Sequence, residues 1–326
     1  MEKQKYILAI DLGGMSAKGA LFSSDGKILF EERVKTCSKN GFECTVKDLC
    51  LLANRLVEGY GATMEDVEAI GMGAPGVVDS NAGVVLRWSN FGWIDAPLAG
   101  RLSELTGKPV YIANDANVAA LGESNFGATA KYQSSILLTI GTGVGGGMVF
   151  DGKLIEGYKS AGAELGHITI REGGIPCACG RRGCYEKYAS ATALIQQTRT
   201  AMAEDLQSEM WNVVEGKMEK VDGRTAFAAA RKGDETAKRV IRQFVDYLSE
   251  GIADFVNILR PEAIVLGGGI ANEGEDLFAP LREAVDARTY IAMDIVPLKI
   301  VGAKLGNRAG VYGAYTLAKN KMLEAK

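Results

Sequence analysis

His167, Cys177, Cys179 and Cys184 follow one another as H-x9-C-x-C-x4-C, with Gly173, Gly174, Gly180 and Gly183 threading the loop between them. Three thiolates and an imidazole suit a closed tetrahedral zinc site, because soft donors select zinc over hard cations and four protein ligands leave no position for a reactive water. The spacing therefore predicts a structural Zn2+. Two other readings stay open: reduced thiols beside a buried histidine, and a redox-active C-x-C pair. His167 is the single histidine of the chain, so a Ser-His-Asp triad or a His-Arg-Asp loop elsewhere is excluded. Cys37, Cys44 and Cys50 have no comparable partners in sequence and are expected as unliganded thiols.

A second set of residues lies at three glycine-rich strand ends: Gly13-Gly14 after Asp11, Gly141-Thr142-Gly143, and Gly267-Gly268-Gly269. Residues without a Cβ let successive backbone N–H groups converge on an anion. Three such ends in one chain favour nucleotide binding, with tight turns as the plain alternative. The segment GTGVGG at 141–146 spells G-x-G-x-x-G, yet a dinucleotide-binding turn must open a helix. Here MVF, Asp151-Gly152-Lys153 and LIE continue instead as strand, turn and strand. No Gly-Lys pair is followed by the Ser or Thr of a Walker A loop.

The elements that position these residues read as a repeated unit. Strand YILAI, turn DLGGMSA, strand KGALF, turn SSDGK and strand ILFEERV form a meander over 6–34, and ILLTI, GTGVGG, GMVF, DGK and LIE repeat it over 136–156. The repetition predicts two similar α/β domains. Amphipathic segments follow at 45–60 and 97–106, strands at VEAIGMGA and PVYIAN, and a helix at 116–126. The chain is largely helical from about 188, with DETAKRVIRQFVDYLSEGIADFVNIL closed by Pro261 before the strand AIVLGGG.

Of the 326 residues, 47% are hydrophobic and 24% charged, enough apolar material for two cores. A net charge of -3 leaves no electrostatic surplus for nucleic acid or an anionic membrane. No stretch reaches about 18 consecutive apolar residues, and the opening MEKQKYILAID meets Asp11 too early for a signal-peptide core. The expectation is a cytoplasmic protein without a membrane or nucleic-acid partner. Six cysteines are too few for a disulfide scaffold.

The ordered motifs DLGG (11–14), GAPG (73–76), NDAN (114–117), GTGVGGG (141–147), AELGH (163–167), CACGRRGCYE (177–186) and LGNRAGVYGA (305–314) resemble the ROK family of bacterial sugar kinases and sugar-responsive repressors, over about residues 6–318. The resemblance implies an α/β, two-domain actin-like ATPase fold, a duplicated ribonuclease H-like unit. Its smaller domain would comprise 1–115 plus 306–326, and its larger domain 116–305 with the zinc loop. It implies that Asp115 is the general base on the attacking sugar hydroxyl, and that Asn114, Glu164, His167, Glu186 and the Gly76 backbone hold the other hydroxyls. Asp11, Gly13, Gly14, Gly141, Thr142 and Gly143 would organise the phosphates and Mg2+ of ATP; on its own residues, the run Gly267-Gly268-Gly269 after the strand AIVL suits close approach of an adenosine. A homodimer or tetramer is also implied. Where the family's kinases carry Thr after the first Gly-Gly pair, this chain has Met15 and then Ser16, so the hydroxyl contact to phosphate is expected to be displaced to Ser16.

Residue by residue, plainer readings stand beside these. An Asn-Asp pair before a helix is an ordinary N-cap, and Glu164 and Glu186 flank a metal loop as solvated or supporting carboxylates would. With the first strand read near Tyr6, no preceding DNA-binding domain is expected, and a kinase is expected over a repressor. A catalytically weakened sugar-binding protein is the other rival. The surroundings of Trp88, Asn90 and Trp93 and the run CYEKYASATAL lean towards glucose over N-acetylmannosamine, N-acetylglucosamine, fructose and allose.

Overall fold

The computed structural model describes residues 4–37, 41–88 and 91–324. Strand β1 (Tyr6–Leu12) is buried along its length except at Asp11, as a continuous apolar run covered on both faces should be. It pairs antiparallel with β2 (Ser16–Ser23), which sets Asp11 opposite Lys18. Strand β3 (Ile28–Lys35) then sets Arg33 opposite Lys18 on the other side of β2. Helix α1 (Phe42–Tyr60) buries Leu49, Leu52, Ala53 and Leu56 at helical spacing and stops at Gly61, whose φ of 84° suits a left-handed cap. β4 (Val67–Ala74) lies parallel to β1, and β8 (Val110–Asn114) parallel to β4. The sheet order is β3-β2-β1-β4-β8.

Between β4 and β8 the chain forms a three-stranded antiparallel sheet, β5 (Val77–Asp79), β6 (Val84–Trp88) and β7 (Trp93–Ala96), followed by helix α2 (Leu98–Thr106). The sequence reading did not anticipate this sheet. Its strands are only three to five residues long, too short for alternation to register. Trp88 and Trp93 are both buried in it and pack edge to face, with ring centroids 4.9 Å apart. Asn90, singled out with them, lies outside the described residues.

Helix α3 (Asp115–Phe126) leads to β9 (Ser134–Ile140), β10 (Val144–Phe150) and β11 (Lys153–Leu154). The helices α4 (Glu186–Ala189), α5 (Ala191–Glu204), α6 (Met210–Val213), α7 (Thr225–Arg231) and α8 (Glu235–Leu259) follow. After them come β12 (Ala263–Gly267), α9 (Glu275–Asp286), β13 (Lys299–Gly302) and α10 (Ala309–Glu324). The Asp234 side chain caps α8 through the Ala237 N–H at 2.6 Å, and the helix ends at Arg260, before Pro261. The second sheet runs β11-β10-β9-β12-β13. That order reproduces the first strand for strand, so the duplication expected from the two meanders extends to the parallel strands as well.

By contacts the chain forms two units, one of Met1–Gln133, Gly147–Ala163 and Lys304–Lys326, the other of Ser134–Gly146 and Glu164–Ala303. These bounds differ from the expected ones over 116–133, 147–163 and 304–305, which group with the first unit. Both α10 and the start of the 147–163 segment pack closely on α3: a Cβ at Gly122 would collide with the Ala309 carbonyl, one at Gly313 with the Val118 carbonyl, and one at Gly147 with Ala120. One correction concerns the thiols. Cys37 and Cys44 form a disulfide with Cα atoms 6.0 Å apart, whereas Cys50 is free. The end of β3 and the start of α1 meet there, a proximity that spacing alone does not reveal. Among the described residues no helix is long and apolar enough to cross a membrane.

Candidate functional site

In the first unit the parallel strands β1, β4 and β8 end at Leu12, Ala74 and Asn114, so the residues just beyond them share one edge of the sheet. Ligands of open α/β sheets bind at such an edge. Asn114 is the N-cap of α3: its Oδ1 accepts from the N–H groups of Ala116 at 2.9 Å and Asn117 at 3.3 Å. Its Nδ2 donates to the Gly76 carbonyl at 3.0 Å. The plain N-cap reading of Asn114 thus holds, and one amide hydrogen is left for another partner. Gly76 has φ of 91°, and a Cβ there would strike the Arg87 carbonyl. Only glycine fits that close approach.

Asp115 is the first residue of α3 and is exposed, with Oδ1 accepting from the Ala116 N–H at 2.8 Å. Asp11 lies deeper. Burial, helped by the charge of Asp115 and opposed by Lys18, pushes its carboxyl up to about 6. A Cβ on Gly310, in the first turn of α10, would collide with the Asp11 carboxylate. Asp11, Gly13 and Ser16 line one cavity of about 600 Å³ together with Lys18, Arg33 and Asn307. A partly buried carboxylate raised by desolvation and then by a second carboxylate is the donor chemistry a hard, oxygen-seeking cation relieves, so Asp11 fits a place beside Mg2+.

In the second unit β9 and β12 run parallel and end at Ile140 and Gly267. The turn 141–143 closes on itself through the Gly141 N–H to the Gly143 carbonyl at 3.0 Å. Gly141, Thr142, Gly143, Glu186 and Gly268 line a cavity of about 330 Å³. Gly268 has φ of 99°, and a Cβ there would collide with the Ile140 carbonyl. Gly267 ends the strand and Gly269 begins a 3-10 turn to Glu273. A Cβ on Gly143 would strike Glu186 Oε2, so this glycine admits the carboxylate to the turn.

Glu186 also faces the cysteine loop. The Cys177 thiol lies 3.1 Å from its Oε1, and His167 Nδ1 lies 3.9 Å from the same oxygen. Glu164 is exposed, and its carbonyl accepts from the His167 N–H at 3.0 Å. The ligand atoms of His167, Cys177, Cys179 and Cys184 all lie within 4.8 Å of one another. Two edges of the group measure 3.7 Å, Cys177 Sγ to His167 Nδ1, and 3.6 Å, Cys179 Sγ to Cys184 Sγ. A tetrahedron with metal–sulfur bonds of about 2.3 Å has edges near 3.8 Å, so the donor set fits one metal ion. Burial pushes the Cys177 thiol up to about 12 and raises Cys184, while the Arg181 N–H lowers Cys179. Three thiolates this close need a cation to coexist.

The sequence reading passed over Lys18, Arg33 and Glu123. Lys18 was within reach, since residues 16 and 18 of a strand share a face. Arg33 enters through the β2–β3 register. Glu123, only 1% exposed, accepts backbone N–H groups of Ala128, Lys304 and Leu305.

The ROK family profile matches residues 7–321. A glucokinase of Thermotoga maritima is 38% identical over 324 residues, 99% of either chain. The crystal structure of a ROK family glucokinase from Streptomyces griseus, in complex with glucose and AMPPNP, superposes with a TM-score of 0.78 at 32% identity, covering 97% of this chain and 99% of the other. A xylose repressor of Caldicellulosiruptor bescii is 31% identical over 97% of this chain, which spans 79% of the repressor.

Proposed function

The chain belongs to the ROK family, and from that premise we propose that it is an ATP-dependent hexose kinase whose first substrate is glucose, converted to glucose 6-phosphate. The observation that carries this reading is the exposed Asp115 carboxylate at the N-terminus of α3, on the edge where three parallel strands end. Phosphoryl transfer asks mainly for positioning, charge neutralisation and one carboxylate that takes the proton of the attacking hydroxyl. Asp115 is assigned that role. Asn114 contributes its remaining amide hydrogen to the sugar, and Glu164, His167, Glu186 and the Gly76 backbone bind the other hydroxyls. Asp11, Gly13, Gly14, Ser16, Gly141, Thr142 and Gly143 serve the phosphates, with Asp11 beside Mg2+, and Gly267, Gly268 and Gly269 approach the adenosine.

The metal held by His167, Cys177, Cys179 and Cys184 is assigned as zinc with a structural role. The contact of Glu186 with Cys177 supports a coupling between that site and substrate placement. A cytoplasmic homo-oligomer is part of the same reading.

The test is a panel of glucose, N-acetylmannosamine, N-acetylglucosamine, fructose and allose with MgATP, scored by kcat/KM with the product position assigned by NMR. Glucose is expected first. A tenfold higher kcat/KM for an N-acetylated sugar overturns the glucose assignment and leaves the kinase standing. Absence of transfer to every sugar, with ATP still bound, turns the reading into that of a sugar-responsive regulator.

A further inference from the structure

Met15 fills the turn between β1 and β2 with a side chain that is 81% exposed and offers no hydrogen-bond donor. The next side chain, Ser16, is held from across the sheet: Arg33 donates to its Oγ through Nε at 2.9 Å and through Nη2 at 2.7 Å. A serine hydroxyl has two lone pairs and one proton. With both lone pairs engaged by Arg33, the proton points away from the guanidinium and is available to an acceptor. Ser16 and Arg33 both line the cavity that holds Asp11 and Gly13.

The carboxylates around this cavity do not neutralise Arg33. Glu31 pairs with Lys18 at 3.6 Å and with Arg308 at 2.7 Å, and Glu32 pairs with Arg55 at 3.2 Å. Among the described residues, the only hydrogen-bond or ion-pair partner of Arg33 is the Ser16 hydroxyl. An arginine anchored through two of its N–H groups keeps the rest of its planar fork and its full charge for a ligand, and phosphate oxygens are the ligand that fork matches. The backbone adds rigidity, since the Thr36 N–H donates to the Met15 carbonyl at 3.1 Å and ties the end of β3 to the turn.

We propose that Arg33, oriented by Ser16, binds the terminal phosphate of the phosphoryl donor and sets the preference for a polyphosphorylated donor over shorter ones. This inference rests on the kinase reading, and it adds a donor contact from β3 that neither glycine turn supplies. Lysine would not reproduce it, because a single ammonium cannot hold Ser16 and a phosphate oxygen in fixed directions at once.

The experiment compares the wild-type protein with Arg33→Ala, Arg33→Lys and Ser16→Ala, each checked for a wild-type thermal melt. In steady-state assays the KM for MgATP is expected to rise at least tenfold in Arg33→Ala and about threefold in Ser16→Ala, with Arg33→Lys between them. The KM for sugar should stay within twofold. Calorimetric titration with magnesium tripolyphosphate and with AMP separates this inference from the kinase reading, because it needs no sugar and no turnover. Arg33→Ala should weaken tripolyphosphate at least tenfold and leave AMP within twofold. Equal tripolyphosphate affinity in wild type and Arg33→Ala overturns the proposal even where sugar phosphorylation is normal, as does an equal loss for AMP. Should Arg33→Ala fail to fold, Arg33→Lys carries the same comparison.

Discussion

The carboxylate of Glu123 accepts a hydrogen bond from the backbone N–H of Leu305 at 2.7 Å. It also accepts from Lys304 at 3.0 Å and from Ala128 at 2.7 Å. Glu123 lies in the same helix as Asp115, and Leu305 precedes α10, whose Gly310 abuts Asp11. One buried carboxylate thus fixes the helix carrying Asp115 to the segment that confines Asp11. Glu123→Ala would leave three N–H groups without their acceptor, and buried unsatisfied groups cost about 1–3 kcal/mol each. The variant should lose at least about 3 kcal/mol in urea unfolding, and Glu123→Gln, which keeps one accepting oxygen, should lose less. A loss below about 1 kcal/mol in Glu123→Ala would show that water replaces the carboxylate.

Asp115 is exposed, and its one hydrogen bond named above is to the N–H of the next residue. Asp115→Asn keeps an oxygen for that contact and removes the carboxylate proposed as the base. Turnover should fall at least about 10²-fold while sugar binding survives and the melting temperature stays within a few degrees. A near-normal kcat in the purified variant would take the proton-accepting role away from this residue.

The elements carrying these groups were legible where local pattern decides the outcome. Both meanders, the helix after Asn114 and the long helix before Pro261 appear as periodicity and punctuation imply, because apolar spacing and capping act within a few residues. What was not legible depends on register, on how the chain turns between elements and on contacts distant in sequence. Arg33 reaches Ser16 only because β2 and β3 pair as they do, Glu123 meets a loop about 180 residues away, and Cys37 meets Cys44 where strand and helix converge. Nothing in the local sequence of any of these residues encodes its partner. The zinc-type motif was readable because its ligands come from one short stretch plus one preceding turn.

The raised carboxyl of Asp11 makes a stability prediction with a definite sign. Its proton is held more tightly in the folded chain, near 6, than at the ordinary value of 3.8. The folding stability attached to that proton is fully present below about pH 4 and is lost as the pH rises through about 6. Asparagine mimics the protonated form at every pH. In the absence of nucleotide and magnesium, Asp11→Asn should therefore be more stable than wild type above pH 6, by up to about 3 kcal/mol, with the difference vanishing near pH 4. The same variant should lose the stabilisation that MgATP gives the wild type. Equal stability of the two proteins at pH 7.5 would mean that Asp11 ionises without cost.

The cysteine loop should carry one tightly held zinc per chain. His167 comes from the turn after Glu164, and the three thiols come from a loop closed by the Cys177 N–H to the Arg181 carbonyl at 2.8 Å and by the bridge between Thr169 and Cys184. Few of the bonds holding this loop are regular secondary structure, so a bound metal would supply much of its order. Structural zinc is worth on the order of 10 kcal/mol in small peptides, and in a domain with its own core only part of that appears as global stability. Elemental analysis of protein purified without chelator should give close to one zinc, and strong chelation should lower the melting temperature. Cys179→Ser removes the exposed ligand with little change in volume, so its effect reports on the metal. Because Glu186 Oε1 contacts Cys177 while Glu186 also lines the cavity of the 141–143 turn, loss of the metal should release this carboxylate. The KM for sugar should then rise along with the loss of stability. Zinc-free protein with an unchanged melting temperature would remove the structural role. A zinc-free Cys179→Ser variant with an unchanged KM would leave that role intact and uncouple the metal from the substrate.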